Sequence, residues 1–272
     1  MKPGGKIGFF DSGLGGLSVM RAVAAQLPQY NYVYLGDTAN KPYGNKPASE
    51  VRGHVQQGVS FLFDQGCELV IVVCNTATAQ ALRFIQQQFL PKFAPHRNVL
   101  GIIVPAAEAA VMATRTNRIG VIGTQGAIET GAFADEIQKL RPEAAVYQQA
   151  APELVPMIES GLHHGKEIGM VIRHYLQSVM AAGIDTLILG CTHYERIAPQ
   201  IAEVVGPGIT LINPGPIVAE RTQDYLFRHA DLSHKLVQGG ERRFYFTSNA
   251  PVFAGLGQEF YGQPITAEEA KI

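Results

Sequence analysis

Short apolar runs alternate along the chain with longer segments of mixed apolar and polar residues. The apolar runs at 69–73, 118–122 and 187–189 are rich in β-forming residues and have polar neighbours. This pattern is typical of strands that are buried on both faces of a parallel sheet. The segments between the runs have the length and periodicity of helices. The alternation predicts an α/β fold with mainly parallel sheets.

The predicted elements follow one another without a linker or a low-complexity segment. Predicted strands cover residues 6–10, 30–35, 69–73, 99–104, 118–122, 145–149, 187–189, 209–212 and 243–247. Predicted helices cover residues 17–27, 48–65, 77–89, 106–113, 128–140, 166–182, 194–205 and 217–228, and a short helix follows the loop that starts at residue 151.

Two of the predicted strands end at a cysteine. One reads Leu187-Ile188-Leu189-Gly190-Cys191-Thr192-His193-Tyr194, and the other reads Val70-Ile71-Val72-Val73-Cys74-Asn75-Thr76-Ala77. Ligands of open α/β sheets bind at the carboxyl ends of strands. A thiol at the start of the following helix faces the positive end of the helix dipole, which lowers its pKa and favours the thiolate.

The two cysteine segments belong to a weak internal repeat. Cys74 and Cys191 are 117 positions apart, and residues 6–10 resemble residues 118–122 at an offset of 112. Similarity at this period predicts two related α/β units, each with one cysteine at its strand ends. Two thiols on facing units would flank one small ligand, which is the geometry of a two-base enzyme.

A glycine-rich turn, Asp11-Ser12-Gly13-Leu14-Gly15-Gly16, follows the first strand. Its backbone N–H groups are suited to anions, but it lacks the G-x-G-x-x-G spacing of dinucleotide-binding proteins. Asp11 would repel a phosphate at this point. Its carboxylate is better suited to handling a proton or an amino group.

Composition narrows the class of protein. The 272 residues are 46% apolar and 17% charged, with a formal net charge of −1. These values indicate a globular protein and weigh against nucleic acid as a partner. No apolar run is long enough to span a membrane, and the amino terminus has no secretory core, so we expect a cytoplasmic location. Three cysteines without a CxxC motif fit free thiols in a reducing compartment.

Four blocks of the sequence together resemble the signature of the glutamate racemases, which belong to the aspartate/glutamate racemase superfamily. The blocks are Asp11-Ser12-Gly13-x-Gly15-Gly16, Gly36-Asp37 with Pro42-Tyr43-Gly44, Cys74-Asn75-Thr76-Ala77 and Leu189-Gly190-Cys191-Thr192-His193-Tyr194. The resemblance extends from about residue 6 to about residue 230 in order and at suitable spacing. Four blocks in register are much more specific than any one of them.

The resemblance implies a racemase that interconverts L- and D-glutamate without a cofactor or a metal ion and supplies D-glutamate for peptidoglycan synthesis. It also implies two similar α/β domains that enclose the substrate. The first domain would comprise residues 1–97 and 208–272, and the second would comprise residues 98–207. The expected partner is therefore a small-molecule substrate, with no membrane and no nucleic acid. The oligomeric state, with a homodimer as one option, is left open by the sequence.

The resemblance also assigns roles to single residues. The family's two catalytic cysteines correspond to Cys74 and Cys191, with Asp11 assisting in the first domain and His193 with Glu159 in the second. Glu153 is a nearby alternative to Glu159. The substrate-binding residues would be Ser12, Pro42, Tyr43, Gly44, Asn75, Thr76, Thr124 and Thr192.

The chain departs from the family pattern in two places. Glu195-Arg196 stands where proline and an apolar residue are expected, and Asn213-Pro214-Gly215 replaces a more usual Asp-Ser type of turn. Neither departure touches the predicted bases. We therefore expect differences in the shape of these loops.

Three other interpretations remain open at this stage. Cys74, Cys191 and His193 could form part of a zinc site, although no closely spaced pair of ligands completes it. Aspartate could replace glutamate as the substrate. The chain could also be a binding protein on the same scaffold, in which case the cysteines and their acid and base neighbours would have no task.

Overall fold

The computed structural model describes residues 4–165 and 167–272 of the chain. These residues form a six-stranded sheet and a four-stranded sheet, and every strand pair within the two sheets is parallel. The predicted α/β class with mainly parallel sheets is therefore confirmed.

The strands in chain order are β1 Lys6–Asp11, β2 Tyr32–Gly36, β3 Cys67–Val72, β4 Asn98–Gly101, β5 Arg118–Gly123, β6 Ala145–Ala150, β7 Thr186–Gly190, β8 Thr210–Ile212, β9 Arg242–Phe246 and β10 Ala267–Glu269. The helices are α1 Gly16–Gln26, α2 Ala48–Asp64, α3 Asn75–Phe84, α4 Leu90–Phe93, α5 Ile103–Ala113, α6 Gln125–Ile128, α7 Ala132–Leu140, α8 Leu154–Glu159, α9 Glu167–Ala181, α10 Ala198–Val205, α11 Pro214–Arg228, α12 Ala230–Ser233 and α13 Ala250–Tyr261. Lys166, the first residue of the predicted helix 166–182, lies outside the described residues.

The two sheets share one strand order. In the larger sheet the order is β10-β9-β2-β1-β3-β4, and in the smaller it is β6-β5-β7-β8. The first strand of each unit, β1 or β5, therefore lies between the second and the third strand of that unit. Cys74 follows β3 and Cys191 follows β7, which are equivalent strands. The internal repeat in the sequence thus corresponds to a repeat in topology.

The predicted domain boundaries are wrong at two edge strands. The predicted second domain, 98–207, includes β4, but β4 pairs with β3 in the larger sheet. The carboxyl-terminal part of the predicted first domain, 208–272, includes β8, but β8 pairs with β7 in the smaller sheet. The chain crosses between domains only after it has completed each edge strand, so both boundaries lie a few residues further on.

Side chains alternate across the larger sheet and pack against helices on both of its faces. Ile7 and Phe9 of β1 belong to the core cluster that includes α1, and Phe10 belongs to the cluster that includes α2. All three are fully buried. Burial on both faces explains why the strand is apolar without a period of two.

Some predicted helices differ from the observed ones where turn geometry intervenes. The predicted helix 128–140 is interrupted at Gly131, which has a φ of 69° and lies directly before the first residue of α7. The segment after Cys191 is a 3₁₀ helix, Thr192–Ile197, before α10 begins. The turn at Asn213-Pro214-Gly215 leads directly into α11, because Asn213 caps the helix and proline is tolerated in its first turn. In the part of the chain that the structure describes, no helix is both long and apolar enough to cross a bilayer.

Several ion pairs connect the two domains. Arg21 of α1 lies 2.6 Å from Glu195, and Arg196 lies 2.8 Å from Glu259 of α13. Glu195 and Arg196 are the residues that depart from the family pattern, so this departure places two ion pairs across the domain boundary. Such partly exposed pairs each contribute modestly to stability.

Candidate active site

The carboxyl ends of β1, β3, β5 and β7 converge on one cavity between the domains. Its volume is about 480 Å³, which lies within the usual range for small-molecule sites. Both Cys74 and Cys191 line it. Of the thirteen predicted site residues, twelve line the cavity, namely Ser12, Pro42, Tyr43, Gly44, Cys74, Asn75, Thr76, Thr124, Glu159, Cys191, Thr192 and His193. The thirteenth, Asp11, is buried at the end of β1.

Cys74 lies at the amino-terminal end of α3, as its position after a strand predicts. Its Sγ accepts a hydrogen bond from Ala77 N at 3.4 Å and lies 3.4 Å from Ser12 Oγ. Burial, and then the negative charge of Asp11, raise the pKa of Cys74 to about 12 despite these hydrogen bonds. Cys74 is therefore a thiol at neutral pH, and the predicted helix-dipole effect does not prevail over burial here.

Asp11 is held by the glycine-rich turn that follows it. Gly13 N donates to its Oδ1 at 2.7 Å. Burial raises the pKa of Asp11, while the charge of His193 acts in the opposite direction. Asp11 thus interacts electrostatically with Cys74 on one side and with His193 on the other.

Cys191 is the first of three side chains in a row within the second domain. His193 Nδ1 lies 3.8 Å from Cys191 Sγ, and His193 Nε2 lies 3.2 Å from Glu159 Oε1. Glu159 is the last residue of α8, and it extends toward His193 across a part-buried contact. Glu153, the alternative, is exposed at the start of α8 and interacts with Tyr175. The structure therefore pairs Glu159 with His193.

The charged forms of Glu159 and His193 stabilise each other. Burial by itself would lower the pKa of His193, but hydrogen bonds and charge interactions with Cys191 and Glu159 raise it to about 10. Burial would likewise raise the pKa of Glu159, but contacts with His193 and Lys41 hold it near a value of about 2. At neutral pH the imidazole of His193 is therefore protonated, and it lies between the Glu159 carboxylate and Cys191 Sγ.

The loop that carries Pro42, Tyr43 and Gly44 is anchored behind the cavity. The hydroxyl of Tyr43 donates to Asp37 Oδ2 at 2.6 Å, and Thr247 Oγ1 donates to Asp37 Oδ1 at 2.8 Å. Asp37 is fully buried. Thr247 directly follows β9, so the carboxyl-terminal part of the chain fixes the shape of this loop.

Polar groups that face the cavity are only partly satisfied within the protein. Asn75 is 2% exposed, and among the described residues neither its Nδ2 nor its Oδ1 has a hydrogen-bond partner. Thr76 Oγ1 and Thr124 Oγ1 lie 2.8 Å apart and connect the domains. Buried polar groups are normally paired, so the Asn75 amide is available to a polar ligand.

Sequence reasoning missed part of the cavity wall. The additional lining residues are Gly13, Lys41, Asn45, Gln125, Pro152, Val155, Pro156 and Ser160. The most consequential is Lys41, whose Nζ lies 2.8 Å from Glu159 Oε2. Its place directly before the Pro42-Tyr43-Gly44 block was the available signal. Among the described residues no group of three or more His, Cys, Asp or Glu could hold a metal ion, and Cys74, Cys191 and His193 form no such group.

Comparison with known proteins provides independent information. Residues 15–222 match the family model for Asp/Glu/Hydantoin racemase. The chain is 39% identical to a glutamate racemase of Corynebacterium diphtheriae, over 97% of this chain and 96% of that protein. It is 42% identical to a glutamate racemase of Symbiobacterium thermophilum, over 91% and 87% respectively.

Solved structures show the same similarity. A glutamate racemase of Bacillus anthracis superposes with a TM-score of 0.91 at 30% identity, over 98% of each chain. A glutamate racemase of Francisella tularensis in complex with D-glutamate superposes with a TM-score of 0.88 at 31% identity, also over 98% of each chain.

Proposed function

Because the chain belongs to the Asp/Glu/Hydantoin racemase family, and within it to the glutamate racemases, we propose that Cys74 and Cys191 interconvert L- and D-glutamate by two-base proton transfer. The protein is an amino-acid racemase, an isomerase.

One observation carries the proposal. Two thiols reach a single cavity from equivalent strand ends of two related domains. Inversion at an α-carbon requires removal of a proton from one face and delivery of a proton to the other face. A single base cannot reach both faces of a substrate that is held still. Bases on two facing domains meet this requirement.

The proposed steps conserve protons. A thiolate at Cys191 takes the α-proton of one enantiomer, and the electron pair of the broken C–H bond stays on the α-carbon and its carboxylate. The thiol of Cys74 then protonates the carbanion from the opposite face and becomes a thiolate. The other enantiomer reacts in the reverse sense. The high pKa of Cys74 fits the role of proton donor, and protonated His193 stabilises a thiolate at Cys191.

The two carboxylates of glutamate need hydrogen-bond donors and positive potential. The first N–H groups of α3, at Asn75 and Thr76, have no partner within the helix and adjoin Cys74. The Asn75 amide is oriented into the same cavity. In the second domain Thr192 follows Cys191 as Asn75 follows Cys74, and Thr124 follows β5, the strand equivalent to β1. Donors of this kind also stabilise negative charge that develops during proton removal.

Single-cysteine variants test the assignment. Cys74→Ala and Cys191→Ala should each lower racemisation of both enantiomers by at least about 10³-fold, because neither thiol can replace the other. Circular dichroism of glutamate follows the reaction. Cys67→Ala is the matched control, since Cys67 is a buried thiol at the start of β3 and does not line the cavity. Racemisation at the wild-type rate by either active-site variant would refute the pairing.

Deuterated water gives a sharper test of the two-base step. The thiol that donates exchanges with solvent, so early product should carry deuterium at the α-carbon while the remaining substrate is largely unlabelled. A single base would return part of the original proton to the product. Retention of the substrate hydrogen in early product would therefore exclude two bases.

The cellular role follows from the product. We place the enzyme in the cytoplasm, where its three free cysteines would remain reduced, and assign it the supply of D-glutamate for peptidoglycan synthesis. Expression of the chain in a bacterial strain that requires added D-glutamate tests this role. Growth without D-glutamate, lost in Cys191→Ala, is the expected outcome. Assays with L-aspartate beside L-glutamate test the choice of substrate.

A further inference from the structure

The cavity wall contains a lysine for which the reaction as described has no task. Lys41 belongs to the first domain and directly precedes the loop residues Pro42 and Tyr43. Its ammonium group lies 2.8 Å from Glu159 of the second domain and 4.9 Å from the centre of the Phe253 ring in α13. The Lys41 side chain is held in one place, because its ammonium group contacts both a carboxylate and an aromatic ring.

Glu159 divides its two carboxylate oxygens between two partners. Oε1 lies 3.2 Å from His193 Nε2, and Oε2 lies 2.8 Å from Lys41 Nζ. On its other side His193 approaches Cys191 through Nδ1 at 3.8 Å. Lys41, Glu159, His193 and Cys191 thus form one row of side chains, and Lys41 alone comes from the opposite domain.

From this arrangement we propose that Lys41 is a positioning residue that holds Glu159, and through it His193, in register with Cys191 from across the cleft. Glu159 is about a quarter exposed, and α8, which carries it, is only six residues long. A carboxylate in this position has several open rotamers unless a second partner fixes it. Lys41 supplies that partner. The row of Glu159, His193 and Cys191 in the second domain is therefore completed by a residue of the first domain.

The charge of Lys41 also matters for the neighbouring groups. Together with His193 it keeps the carboxyl group of Glu159 ionised, and an ionised Glu159 keeps His193 protonated. Removal of the ammonium group leaves Glu159 with one cationic partner and a free oxygen. Rotation of Glu159 away from His193 would then remove the contact that orients His193 beside Cys191. The inference rests on the proposed function, since it assigns Cys191 as a base.

The matched control for Lys41 is Arg83. Arg83 of α3 lies 2.7 Å from Glu136 of α7, so this pair also connects the two domains. Arg83 does not line the active-site cavity. Substitution of Arg83 therefore removes an ion pair between the domains without disturbing the row at Cys191, and it separates a general loosening of the domains from an effect on His193.

The experiment compares Lys41→Met, Lys41→Arg and Arg83→Met with the wild type. Lys41→Met keeps an unbranched stem beside Phe253 but removes the charge, and we expect it to lower kcat by about 10-fold or more. Lys41→Arg should recover most of kcat, and Arg83→Met should remain within about two-fold of the wild type. Equal losses in Lys41→Met and Arg83→Met, or a rise in KM with unchanged kcat in Lys41→Met, would overturn the proposal.

A double-mutant cycle tests whether Lys41 acts through Glu159. In the Glu159→Gln background, Lys41→Met should cost no further kcat, because the carboxylate that Lys41 holds is absent. The same loss in both backgrounds would show that Lys41 acts independently, and would overturn the proposal. Racemisation by the wild type and its loss in Cys191→Ala are measured in parallel. A failure of the proposed function appears in those two proteins, whereas a failure of the present inference appears only in the Lys41 series.

Discussion

Gly15 offers a direct test of how closely the two domains must approach each other. Its backbone, with φ of −59° and ψ of −36°, is one that alanine adopts without strain. A methyl group at Gly15 would nevertheless overlap Thr192 Oγ1, and it would lie 2.7 Å from His193 Nδ1 and 2.9 Å from Thr192 Cβ. The three atoms all belong to the second domain. Gly15→Ala therefore acts on the contact between the domains rather than on the fold of the first.

The size of the effect follows from these distances. Nonbonded heavy atoms prefer separations of about 3.5 Å, so the turn that contains Thr192 and His193 must retreat by roughly 1 Å. Rotation of the Thr192 side chain moves its hydroxyl but not its Cβ, so the turn itself has to shift. A displacement of about 1 Å at a reacting group lowers rates by about 10²-fold. We expect a loss of kcat of that size in Gly15→Ala.

Stability and activity should separate in this variant. The backbone at Gly15 accepts alanine with a change in stability of no more than about 1 kcal/mol, and the contact with the second domain costs a further ~1–3 kcal/mol, which leaves the protein folded. The assay is racemisation followed by circular dichroism, together with the thermal midpoint. Gly53→Ala is the control, because Gly53 lies on the exposed side of α2 with no atom within 4 Å of an added methyl group. A Gly15→Ala enzyme with kcat within about three-fold of the wild type would show that the close approach at His193 is not required.

Two further predictions concern charge. Asp11→Asn preserves the acceptor for Gly13 N but removes a negative charge, which is the second cause, after burial, of the raised pKa of Cys74. We expect kcat to fall by about 10²-fold. Alkylation of Cys74, monitored by mass spectrometry, should become faster. The two enantiomers have equal free energy in water, so kcat/KM must stay equal in both directions. The larger loss that we expect for the enantiomer deprotonated by Cys74 must therefore be measured as a change in kcat. Unchanged kcat in both directions would mean that Asp11 is structural. The second prediction concerns pH: the pKa of His193 is about 10 in the folded protein against 6.5 for the free side chain, so its contribution to stability is complete below pH 6.5 and is lost as the pH rises toward 10. The thermal midpoint should therefore decline over this window, and less so in His193→Gln; a flat or rising midpoint in the wild type would contradict the high pKa.

Local patterns in the sequence were sufficient for the class of fold and for most of the candidate site. Apolar runs and helical periodicity depend on near neighbours in the chain, so they identified the strands that end near Cys74 and Cys191. The repeat between residues 6–10 and 118–122 anticipated two units of like topology. Twelve predicted site residues line one cavity because equivalent strand ends converge there, and parallel strands have their carboxyl ends at the same edge.

The tertiary structure decided what depends on contacts between distant segments. The edge strands β4 and β8 joined the sheets that offered them hydrogen bonds, which moved both domain boundaries. Glu159 rather than Glu153 faces His193 because α8 presents its last residue to the cavity. The ion pair of Lys41 with Glu159 joins residues 118 positions apart, beyond the reach of any local pattern. Protonation states were decided in the same way, since burial and neighbouring charges exist only in the folded chain and prevail over the helix dipole at Cys74.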